Sequence, residues 1–362
     1  MAYWCYKNEM RCLRRAHRAK TRRVCWNHLG KEECEMQHYS VNEAAAAIIE
    51  GQVLSDTERL QIKAKRLANG ATVLDFGVHS KGGFLAGKYF AEIGMGGLGR
   101  LTYGIMRLRD HLVPSVQIFV EAPAVCEMAS HVAFWKLPYR GGQAVISGPV
   151  RAIRGADQFA RAVGYRDPAP SKAVACIQTG ELPDEELCEL ISEGCGVSCE
   201  NLYLLAARTG CMAGAVQVCA RNVEQSMPTV YDHGFPMDKI VEANAVTPLV
   251  SVTDDESIAY GRVNDCLIYG QETNLYVRCA DEEITGMLDR LPFSKNDSSV
   301  YGVPFYELFA KCGNSWANVP RDWDAPCKIN FINLTTGHVF STGQVCTDVL
   351  ERSFMGKRGM KL

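Results

Sequence analysis

The sequence predicts an α+β fold in two domains, with mixed or antiparallel sheets and an active-site cleft between the domains. Three observations lead there. At 362 residues the chain exceeds the usual size of one compact core. Its strand-like runs include one tight hairpin signal, and its helical stretches stand singly between strands without regular alternation.

The elements follow in order. Residues 1–37 form a basic extension with Trp4, Trp26 and four cysteines and no sustained periodicity. It is expected to be an unstructured segment, or a stretch upstream of a start at Met36. A zinc site on Cys25, His28 and Cys34 lacks a CxxC pair and fits no common finger spacing. Structure then begins at Ser40 and Glu43, an S-x-x-E capping box with Tyr39 in the staple position, which predicts a helix to about Glu50. Asn69-Gly70 between two strand-like runs predicts a hairpin, because both residues tolerate positive φ. Leu85, Tyr89 and Ile93 recur at helical spacing, and SVQIFVEA alternates as a strand does. Further strands are expected at AVIS, AVACIQ, LYLLAA, AVQVCA, CLIYG, NLYVRC and CKINFIN. Helices are expected around 124–135, 150–163, 183–193, 222–233, 281–290, 304–311 and 345–354. The stretch GYRDPAPSK, with Pro168 and Pro170, reads as the linker between domains at 38–168 and 169–362.

Composition excludes several classes. Hydrophobic residues make up 47% and charged residues 22%, an ordinary globular balance. No apolar run reaches the ~18–20 residues that span a bilayer, and the basic start lacks the apolar stretch of a secretory signal, so a cytoplasmic protein is expected. Sixteen cysteines scattered along a long chain read mostly as reduced core residues. The first 35 residues hold nine Lys/Arg against four Asp/Glu (+5), leaving 30 basic and 37 acidic residues (−7). By charge, the body does not bind nucleic acid.

Several motifs carry possible chemistry. Gly94, Gly96 and Gly99 satisfy G-x-G-x-x-G with Glu121 downstream, but a helix precedes them where a strand is required, so a helix C-cap and a close-packed turn is the preferred reading. In SGPVRAI, Ser147, Gly148 and Arg151 flank the start of a helix whose free N–H groups suit a phosphate or carboxylate. The histidines show no metal-ligand spacing, no serine-hydrolase elbow or P-loop is present, and no metal is expected. Arg221 and Glu224, three apart in AVQVCARNVEQSM, share a helical face and taken alone read as a surface ion pair.

From about Tyr39 to Phe354 the chain resembles the methenyltetrahydromethanopterin cyclohydrolase family. The resemblance rests on SVNE, LDFGV, GGFLAGKYFAEI with MGGL, SGPVRA, LPDEEL, ENLYLL, AVQVCARNVE, GRVNDCLIYG, YGVPFYELF, INLTTGHVFSTG and VLERSF, in that order. It implies a hydrolase acting on a cyclic amidine, with Arg221 and Glu224 of A-R-x-x-E as the catalytic residues. Substrate contacts are expected from Gly96, Gly97, Ser147, Gly148, Arg151, Asn264 and Asp265. The resemblance also implies a pterin substrate, no cofactor beyond it, and a homotrimer. The sequence departs from the family's pattern at Arg208, Gly210 and Cys211, in a stretch usually richer in Ser and Thr, and at Gly94. Two alternatives are an oxidoreductase built on the glycines and a non-catalytic protein that binds a pterin, or RNA through its basic arm.

Overall fold

The structure, a computed structural model, describes residues 35–249, 252–293, 301–314, 318–320, 323 and 325–355. The extension with Cys25, His28 and Cys34 lies outside the described residues.

Ser40 caps helix α1 (Val41–Ile48) by accepting from the Glu43 N–H at 3.1 Å. Only this half of the capping box forms, because the Glu43 carboxylate reaches across to the Ser171 N–H and hydroxyl. The predicted hairpin pairs β1 (Lys63–Arg66) with β2 (Thr72–Gly77), and Gly70 supplies the positive φ of the turn. Strand β2 runs parallel to β8 (Leu202–Ala207), which runs parallel to β7 (Ala173–Gln178), completing a four-stranded sheet in the order β1-β2-β8-β7. These three parallel strands are almost continuously apolar because both faces are covered. Val73, Ala175, Leu204 and Ala206 face α3 (Glu185–Cys195) and the hairpin of β5 (Trp135–Tyr139) and β6 (Gly142–Ile146). Leu74, Phe76, Val174 and Leu205 face α1 and α2 (Phe84–Gly94). Alternate residues therefore feed separate cores, as the two-residue repeat of a strand requires.

A second sheet of six strands has the order β12-β11-β10-β9-β4-β3, from β3 (Gly99–Leu108), β4 (His111–Glu121), β9 (Ile240–Pro248), β10 (Glu272–Val277), β11 (Lys328–Asn333) and β12 (Val339–Gly343). Its pairings are antiparallel except β10 with β11. One face packs Val116, Ile118, Ala243 and Leu275 against α5 (Asn222–Asp232) and α6 (Glu256–Gly270), while Phe119 on the other face is 52% exposed.

The structure corrects two expected strands. AVQVCA lies in helix α4 (Met212–Cys219) and CLIYG in α6. Helix α4 is buried along its length after Met212, and Ala213 packs with the core of the four-stranded sheet while Ala215, Val216, Val218 and Cys219 pack with that of the six-stranded sheet. A helix enclosed on all sides carries no polar face, so its apolar spacing imitates alternation. The domain boundary is also corrected. The four-stranded and six-stranded sheets each take strands from both sides of residue 168, so the halves interleave, and the described residues from Met36 onward form one compact unit. Asp167, within the expected linker, is buried and accepts from both the backbone and side-chain amides of Asn42.

Candidate active site

Helix α4 ends at Cys219, and after Ala220 the chain turns at Arg221, which has φ −84° and ψ 23° and stands at the N-cap of α5. The corner is fixed by Asn222, fully buried, whose side-chain amide donates to Thr247 on β9 at 2.9 Å. Glu224 follows in the first turn of α5, where the helix dipole favours a carboxylate.

The Arg221 guanidinium is anchored on three sides. Nη1 donates to the His131 carbonyl at 2.6 Å, Nη2 to the Ser147 hydroxyl at 3.1 Å, and Nε and Nη2 to Gln217 Oε1 at 3.3 Å. The His131 carbonyl closes a π-helical segment, Ala124–His131, so the cation meets the negative end of a helix. Gln217 continues to Gln178 at 3.5 Å, and Gln178 donates to the Thr209 hydroxyl. Gln178 ends β7 and Thr209 follows β8, so this polar network sits at the carboxyl ends of the parallel strands, the usual place for a ligand site in such sheets. Glu224 belongs to the same neighbourhood: its charge acts on His131 and on Arg151, as does that of Arg221.

Ser147 is brought into this network through its hydroxyl. It extends β7 through an isolated bridge to Cys176, with backbone bonds of 3.0 and 2.9 Å. Burial pushes the Cys176 thiol up to about 12, which removes it as a thiolate nucleophile. Gly148 is at φ +95°, and a Cβ there would lie 3.2 Å from both the Cys176 nitrogen and the Val174 carbonyl oxygen, so the close approach requires glycine.

The anion-site expectation for this turn is corrected. The Gly148 N–H donates to Ser130, and Arg151 is fully buried with all five guanidinium hydrogens engaged. Arg151 holds Asp157 through two 2.6 Å contacts and the Met128 and Ser130 carbonyls at 3.1–3.2 Å. Arg151 therefore buttresses the turn and the π-helical segment instead of contacting a ligand. The remaining expected contacts lie elsewhere. Gly96 and Gly97, both at positive φ, turn the chain tightly over Val41 and Tyr39, and Gly97 lines a depression with Arg100, Phe119, Glu121 and Glu242 that does not include Arg221. Asn264 donates to the Tyr260 carbonyl within α6. Asp265 is fully buried and ties α6 to the Phe305 N–H and the Ser353 hydroxyl.

Sequence reasoning missed Gln178, Gln217 and Thr209, which come from three separated segments and form no local pattern. It also passed over His131, although Glu127 four residues earlier gave the helical spacing that joins them. The oxidoreductase alternative meets the wrong order of elements, since α2 precedes the glycines and β3 follows them.

Residues 40–354 match the family model described as Cyclohydrolase (MCH). The chain is similar to the methenyltetrahydromethanopterin cyclohydrolase of Methanococcoides burtonii, 32% identical over 317 residues that cover 87% of this chain and 98% of the relative. A protein of that name from Methanococcus maripaludis is 33% identical, covering 87% and 98%. Another from Methanothermobacter thermautotrophicus is 30% identical, covering 87% and 99%. The match runs through both sheets and the Arg221 corner, and the chain belongs to the methenyltetrahydromethanopterin cyclohydrolase family.

Proposed function

We propose that this chain reversibly hydrolyses 5,10-methenyltetrahydromethanopterin to the 5-formyl compound in one-carbon metabolism, with Glu224 as general base and acid and Arg221 positioning it and the attacking water. The observation that carries the reading is the anchored corner: Arg221 is held by His131, Ser147 and Gln217 one helical turn from Glu224.

The chemistry suits so few groups. The methenyl carbon bridges two nitrogens as an amidinium cation, so it is electrophilic without a metal. Glu224 removes one proton as water adds, giving a neutral tetrahedral adduct. That proton passes to N10 as the C–N10 bond breaks, and the adduct hydroxyl becomes the formyl oxygen by releasing its own proton to solvent. One proton is released overall. General catalysis of this kind contributes about 10²–10⁴-fold. The His131 carbonyl at the segment's C-terminus offsets the charge of Arg221, which otherwise repels a cationic substrate, and the Glu224 carboxylate attracts it.

A cytoplasmic homotrimer with no cofactor beyond the pterin completes the proposal, on the strength of the resemblance. The test supplies the methenyl pterin to the full chain and follows its absorbance together with the product. Enzyme-dependent conversion to the 5-formyl compound is expected. Binding without conversion favours the non-catalytic pterin-binding alternative.

A further inference from the structure

Behind the Arg221 corner lies a pair of ionisable groups that the hydration chemistry above does not use. Glu127 and His131 are 0% and 1% exposed, and Glu127 Oε2 lies 2.8 Å from His131 Nδ1. They sit four residues apart in the π-helical segment Ala124–His131, whose last carbonyls meet two guanidiniums. Met128 and Ser130 accept from Arg151, and His131 accepts from Arg221. Burying two such groups costs several kcal/mol per charge unless they are paired or neutral, and two apolar residues would fill the space without that cost. Their place is therefore hard to explain by packing.

We propose that Glu127 and His131 are positioning residues of the hydration site, setting both the carbonyl that holds Arg221 and the hydrogen-bonding state of the buried imidazole. The inference rests on the Arg221 and Glu224 reading.

Burial pushes Glu127 up to about 8 and His131 down to about 3, so near neutrality the pair is uncharged. Glu127 then donates to Nδ1, which leaves the imidazole hydrogen on Nε2. The transfer of the Glu127 proton to Nδ1 leaves that statement unchanged, because an imidazolium also carries a hydrogen on Nε2. Only loss of a proton from the pair alters it: Nδ1 must then donate to the carboxylate, and Nε2 becomes an acceptor. The charged and titratable groups facing the pair are Cys126 on its own segment, Arg221 at the α4–α5 corner, Glu224 on α5 and Arg151 after β6. A new carboxylate charge among them attracts Arg221 away from Glu224. The ring has little room to escape, since a Cβ at Gly94 would lie 3.3 Å from His131 Cδ2.

The test compares the pH dependence of kcat and KM in wild type, Glu127→Gln and His131→Gln, each checked for folding by circular dichroism. In wild type, kcat falls as pH rises through about 8. In Glu127→Gln the amide still donates to Nδ1 but cannot ionise, so that fall disappears while KM changes little. In His131→Gln the backbone carbonyl remains and the Nε2 donor is lost, so kcat at neutral pH drops about tenfold with a smaller change in KM, the size of one hydrogen bond. A folded Glu127→Gln that keeps the wild-type alkaline fall overturns the proposal. If Glu127→Gln does not fold, a His131→Gln enzyme with wild-type kcat overturns it instead. Wild type inactive at every pH refutes the cyclohydrolase reading itself, a result separate from either of these.

Discussion

At the scale of single residues, the site is made by side chains whose neighbours decide their roles. Arg151 and Arg221 are both arginines beside the same π-helical segment, yet Arg151 is sealed by Asp157, while Arg221 holds the His131 carbonyl and is the one proposed to orient Glu224. Asp265 shows the same principle away from the site. Burial pushes its carboxyl up to about 7. Because the folded chain holds this proton more tightly than the unfolded chain, the stability from this group is fully present below the unfolded value of 3.8 and is lost as pH rises through about 7. Asp265→Asn removes the dependence. Urea midpoints at about pH 5 and about pH 8 therefore move in favour of the variant as pH rises; a wild-type-to-variant difference that ignores pH contradicts the assignment. Arg221 and Glu224 stand out in the sequence only through resemblance, since their spacing alone matches any helix surface. Gln178, Gln217 and Thr209 were not legible, because folding brings them together from β7, α4 and the turn after β8.

At the scale of elements, the strands buried on both faces and the Asn69-Gly70 hairpin were plain in the sequence, whereas α4 was not. Its small and β-branched residues, AGAVQVC, suit a buried strand as well as a buried helix, and only the partner resolves the ambiguity. That partner is α2, where Gly87 lets the helices approach so closely that a Cβ would lie 2.6 Å from Val216 Cβ. Gly87→Val is expected to destabilise the chain by about 1–3 kcal/mol through overpacking and to displace α4, the helix that leads to Arg221. Denaturant titration measures the first effect and kcat the second. Wild-type stability would show that the two helices are less tightly joined than their spacing indicates.

At the scale of the whole molecule, the α+β class and the mixed sheets were legible, and the consecutive domain order was not. Pro168 and Pro170 look like a linker in sequence, but the chain there passes between sheets that each need strands from both halves. Residues 38–168 alone leave β2 without β8 and β4 without β9. This fragment is expected to lack a cooperative thermal transition by circular dichroism; a sharp transition would restore the two-domain division. The interleaving also accounts for the position of the site, since α4 joins both cores and Arg221 stands at its end.

The most direct test of the central claim is the rate at which the full chain removes the methenyl absorbance, measured side by side with Glu224→Gln. The variant is expected to fold, with a kcat lower by about 10²–10⁴-fold. A folded Glu224→Gln enzyme that turns over at the wild-type rate would contradict it.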